Sequence, residues 1–105
     1  MRLVRLALFI SITVASVQAQ AAFVSGKVNA IFLSASTNFA FRINMTSGIP
    51  GCKSNFAYIN VGGSGNYEAY VSSLTSAYLA GKTVGLTYTV QSDGYCLINE
   101  FGVSD

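Results

Sequence analysis

The chain has no histidine and no tryptophan, one proline, only two cysteines, and charged side chains at just 10% of its 105 positions. Each shortage excludes something. Without histidine there is no ordinary base to activate a serine or cysteine, so the usual nucleophilic constellations cannot be assembled. A zinc site needs about four ligands, and two thiols without imidazole fall short. Four carboxylates, Glu68, Asp93, Glu100 and Asp105, could supply a glycosidase pair, but they are scattered over a helix start, a turn, the last strand and the terminus. The expectation is a protein that is not an enzyme and carries no cofactor or metal.

The sparse charge is also unevenly placed. Arg2 and Arg5 precede an apolar run from Leu6 to Val17, followed by small residues in "SVQAQAA". A basic start, a short apolar segment and an A-x-A-like exit are the marks of a secretory signal peptide. The run is shorter than the roughly twenty residues a spanning helix needs, although an uncleaved anchor is the competing reading. Cleavage after Ala19 or after Ala21 both fit, and the expected division is a signal peptide over 1–19 and a single domain over 20–105. Beyond residue 19, Lys27, Arg42, Lys53 and Lys82 balance the four carboxylates, giving no net charge. Nucleic-acid binding rests on a basic patch that neutralises phosphates, and four scattered cations do not form one.

Export also gives Cys52 and Cys96 a role. An even cysteine count in a small secreted chain reads as a disulfide. Closing the loop from residue 52 to residue 96 contributes about 4 kcal/mol in the chain-entropy treatment.

Alternation and turn residues then divide the chain. A first strand is expected over Phe23–Ala35, with Val24, Gly26, Val28, Ala30 and Phe32 on one face and a bend or bulge at Gly26. A second is expected over Phe39–Met45, with Phe39, Phe41, Ile43 and Met45 inward, and a third over Phe56–Val61. Tyr67, Tyr70, Val71, Leu74, Ala77 and Tyr78 fall at helical spacing and predict a helix from Tyr67 to Ala80. Asn66 is its expected N-cap, Gly81 its stop, and Lys82 the cation at its negative end. Strands over Thr83–Val90 and Tyr95–Val103 complete the pattern, joined at "QSDG".

The order β-β-β-α-β-β is that of the OB-fold, a five-stranded, partly open Greek-key barrel in which the helix closes one end. A flat α+β sheet is the rival. Among the six tyrosines, Tyr67, Tyr70 and Tyr78 belong to the helix stripe, whereas Tyr58 and Tyr95 flank loops and are open to a binding role. "NMT", residues 44–46, matches a glycosylation sequon. The neutral Ser/Thr side of the helix suits contact with a neighbouring subunit better than contact with a membrane.

"FVSGKV" at Phe23–Val28, and "GKTV" at Gly81–Val84 leading to Tyr88, resemble the small secreted OB-fold proteins related to the binding (B) subunits of subtilase-cytotoxin-like and pertussis-like bacterial toxins. The resemblance implies a binding module for host or cell-surface glycans, a homo-pentamer, and an unidentified A subunit as partner. It carries glycan binding to Ser25 and Tyr88. Some relatives also use an acidic residue just before the first strand. Here that region reads "AQAAF", without an acid, which leaves the sugar itself open. A periplasmic or surface protein-interaction domain with no sugar site is the alternative.

Overall fold

The computed structural model describes residues 20–35, 39–60 and 66–105. The expected signal peptide and its cleavage site at Ala19 lie outside the described residues. So do residues 36–38 of the first turn and 61–65, which include Val61 of the expected third strand.

Five strands and one helix run in the order β1 (Gln20–Leu33), β2 (Phe41–Met45), β3 (Ala57–Ile59), α1 (Tyr67–Ala80), β4 (Thr83–Val90) and β5 (Cys96–Ser104). β1 is long enough to serve two neighbours. Its first part, Gln20–Lys27, runs antiparallel to β4, and its second, Val28–Leu33, antiparallel to β2. β2 pairs with β3, β4 with β5, and β3 with β5. Hydrogen-bonded order is therefore β1-β2-β3-β5-β4, with β4 returning to β1.

The β3–β5 seam corrects the expected five-stranded OB-fold barrel. β3 has three residues where six are expected, it joins β5 in parallel, and the seam consists of two residue pairs, Ala57↔Cys96 and Tyr58↔Leu97. The chain forms a mixed five-stranded sheet with one helix, in which β3 and β5 are stitched together at this short seam alone. The disulfide supplies the physical reason. Cys52 and Cys96 are bonded, with Cα atoms 5.5 Å apart, and the Lys53 N–H donates to the Gly94 carbonyl at 2.8 Å. β3 and β5 both set out from this tie, so they run the same way, and they part beyond Tyr58 and Leu97.

The core lies between the sheet and α1. Phe41, Ile43, Leu74, Val84, Leu86 and Tyr88 are buried almost completely. α1 spans the residues its spacing predicts, and Leu74 and Ala77 form its buried stripe. Gly81 adopts a left-handed conformation, φ 64°. Its N–H donates to the Tyr78 carbonyl, and the Lys82 N–H donates to that of Ala77, which is the Schellman ending. Two cap details differ from expectation. The Asn66 side chain makes no capping bond. The cation at the helix end is Lys27, whose ammonium donates to the Gly81 carbonyl, while Lys82 pairs with Asp105.

β1 does not alternate throughout. The bulge falls between Val28 and Ala30 rather than at Gly26, so Asn29 is the extra residue and Ile31, opposite Ile43, turns inward. Phe32 is thereby outside, opposite Arg42. Gly26 answers a different need, since a Cβ there would sit 3.0 Å from Ser47 Oγ. Phe39 likewise leaves the core. It precedes β2 with φ 58°, a left-handed conformation that is rare for a bulky residue, and its ring joins an aromatic group beside the main core.

Candidate functional site: a groove on the outer face of β1, β4 and β5

The register of β1, β4 and β5 builds rows of side chains across the sheet. Ser25 stands opposite Gly85, and Gly85 opposite Gly102; Phe23 stands opposite Thr87, and Thr87 opposite Glu100. Successive strand residues point to opposite faces, so these rows lie on the face away from Val84, Leu86 and Tyr88. Two glycines side by side leave the middle of that face bare. The result is a shallow groove of about 440 Å³, lined by Phe23, Ser25, Thr87 and Glu100 over the backbone of Gly85 and Gly102.

Each wall has a local cause. The Phe23 ring is 66% exposed and leans over Gly85, where an added Cβ would meet it at 3.3 Å. Gly102 has nothing within 4 Å of a would-be Cβ, so any side chain there would project into the groove. Glu100 faces outward because β5 carries its own bulge, between the pairs Tyr88↔Ile98 and Thr87↔Glu100. Plain alternation from the buried Ile98 would have turned Glu100 inward. Asn99, the extra residue, is held by the Tyr70 hydroxyl, which donates to its carbonyl at 2.9 Å, and by its own amide, which donates to Thr89 Oγ1 at 2.7 Å.

Of the two residues expected to bind glycan, Ser25 is exposed in this groove. Tyr88 lies on the opposite face and is 1% exposed. Its hydroxyl donates to the Pro50 carbonyl at 2.7 Å, and burial pushes its pKa up. Tyr88 thus presents no surface to a sugar; it anchors the loop that carries Cys52. Sequence reasoning misses Phe23, Thr87 and Glu100. A flag for them exists in Gly85 and Gly102, glycines inside strands, which mark close approach or a bare backbone.

Tyr58 and Tyr95 assemble elsewhere. With Phe39 and Phe56 they form an aromatic cluster beside the main core, in which Tyr58 is buried and the other three rings are half-buried; Phe39 meets Tyr58 edge-on at 4.4 Å and Phe56 stacks on Tyr95 at 5.7 Å. Arg42 lies 5.3 Å from the Phe56 ring and Lys53 5.0 Å from that of Tyr95, so the cluster brings its own cations. A second cleft of about 300 Å³ opens where β3 and β5 part, lined by Asn60, Asn66, Tyr70, Leu97 and Asn99 among others. The sequon begins in the last two residues of β2 and ends in the turn at Thr46; its acceptor, Asn44, is in the strand with Oδ1 buried and unpartnered, which is not the exposed loop an acceptor site needs. Among the described residues no group of three His, Cys, Asp or Glu is placed to hold a metal, and no helix is long and apolar enough to cross a membrane.

Scans against protein-family models, curated proteins and solved structures find no match to this chain. The kinship implied by "FVSGKV" and "GKTV" is therefore a proposal only.

Proposed function

We propose that this protein is an exported, non-enzymatic binding module that takes a glycan in the groove of β1, β4 and β5. The supporting observation is the composition of that groove: an exposed aromatic ring beside two hydroxyls and a carboxylate, above a floor of bare backbone. A sugar ring offers an apolar C–H face and a rim of hydroxyls. An aromatic wall answers the first, and Ser25, Thr87 and Glu100 answer the second. Export rests on the basic-apolar-small pattern of residues 1–21 and fits the Cys52–Cys96 bond, which belongs to an oxidising compartment. Glycan-array binding that is lost in Phe23→Ala and weakened in Ser25→Ala is the expected result. Because Phe23 is exposed, Phe23→Ala changes folding stability by no more than about 0.5 kcal/mol. No binding to any neutral or sialylated glycan would sink the reading.

The second reading is assembly, as in the toxin B-subunit rings the sequence resembles. Its motivation is the last turn of α1, where Leu79 is 78% and Tyr78 39% exposed. Light scattering is expected to give a mass well above that of one chain; a monomer at high concentration removes the ring.

A further inference from the structure

We infer that the groove selects neutral saccharides and rejects acidic ones, with Glu100 as the discriminating residue; this rests on the glycan-binding reading above. The placement of the charges carries it. Residues 20–105 contain four cations, Lys27, Arg42, Lys53 and Lys82. Each is engaged away from the groove. Lys27 Nζ donates to the Gly81 carbonyl, although Lys27 follows Ser25 on the same face of β1. Arg42 donates to the Phe39 carbonyl at 3.0 Å and lies over the Phe32 and Phe56 rings. Lys53 lies over Tyr95, and Lys82 pairs with Asp105. None lines the groove.

Glu100 is the one charged side chain that does. It is exposed, and no ion pair involves it among the described residues. An acidic sugar is normally held by an Arg or Lys that matches its carboxylate. Here the carboxylate of such a sugar would meet Glu100 with no cation to offset it, and like charges facing each other at an interface exclude a ligand. A neutral sugar is treated differently. Its hydroxyls donate and Glu100, acceptor-only when ionised, receives. Ser25 and Thr87 can donate or accept, so the groove meets a hydroxyl rim in both senses while the Phe23 ring covers the apolar face.

The test uses the purified full chain on an array that pairs neutral galactose-, glucose- and mannose-terminated glycans with the same glycans capped by sialic acid. Wild type is expected to bind neutral members and to lose binding on capping. Glu100→Gln, isosteric and at an exposed site, is expected to keep the wild-type unfolding midpoint, to weaken neutral binding about tenfold as a charge-assisted bond becomes a neutral one, and to narrow the gap between capped and uncapped forms. Capped glycans bound as well as or better than uncapped ones by wild type would overturn the inference and leave the glycan reading standing. An unchanged neutral-to-acidic ratio in Glu100→Gln would also overturn it. Failure of every glycan would end both.

Discussion

At the scale of single residues, burial separates tyrosines that a sequence treats alike. Tyr88 and Tyr58 are 1% and 5% exposed, and both hydroxyls have internal partners, Pro50 and Gln91. Burial raises the pKa of Tyr88. It also raises that of Tyr58, where Asp93 pushes the same way and the Gln91 bond partly opposes. A phenol whose folded pKa lies above its unfolded value of about 10 favours folding while it stays protonated. That contribution is complete below about pH 10 and is lost as pH rises through the higher folded pKa. Urea unfolding measured from about pH 8 to about pH 12 is expected to show stability falling above about pH 10, with a shallower fall in Tyr58→Phe and Tyr88→Phe. At neutral pH, Tyr88→Phe is expected to cost about 1 kcal/mol by losing the bond to Pro50, and to leave glycan binding unchanged because Tyr88 never reaches the groove. Ser25 is legible as a candidate because it sits in a short recognisable run. Glu100 is not, because one extra residue in β5 decides which way it points.

At the scale of elements, the helix and β4 follow their sequence patterns closely. α1 begins and ends at the expected residues, and β4 spans Thr83–Val90 with Val84, Leu86 and Tyr88 inward. Both have patterns their neighbours do not interrupt: a 3.6-residue stripe ended by a glycine, and an unbroken alternation. β1 and β5 depart because each accommodates an asparagine, Asn29 or Asn99, as a surplus residue opposite a shorter partner. A bulge reverses the facing of the residues beyond it, and alternation within one strand does not reveal how many residues its partner offers. The helix stripe gives the element-scale prediction. Leu74 is fully buried against the sheet, so Leu74→Ala is expected to cost about 2–5 kcal/mol, read as a lower urea midpoint with the slope retained. The exposed Leu79→Ala, by contrast, is expected to stay within about 0.5 kcal/mol.

At the scale of the whole molecule, the disulfide does more than shorten the unfolded chain. It brings the lead-in to β3 beside the start of β5, 44 positions away, and so decides that the two strands meet in parallel. The protein is expected to show no free thiol without reductant. Reduction is expected to lower stability by about 4 kcal/mol, with protection from hydrogen exchange lost first at the two-pair seam between β3 and β5, where few bonds hold the sheet together. The sequence by itself determined the number and order of elements, the extent of α1 and β4, the cysteine pairing and the scarcity of catalytic groups, because periodicity, caps and composition are local or countable properties. Only the tertiary structure decided the mixed sheet, the removal of Phe39 from the core, the separation of the buried Tyr88 from the exposed Ser25, and the groove itself. The groove exists because register sets Gly85 beside Gly102 and Phe23 and Glu100 on either side of Thr87, and register is a relation between strands that no single stretch of sequence contains.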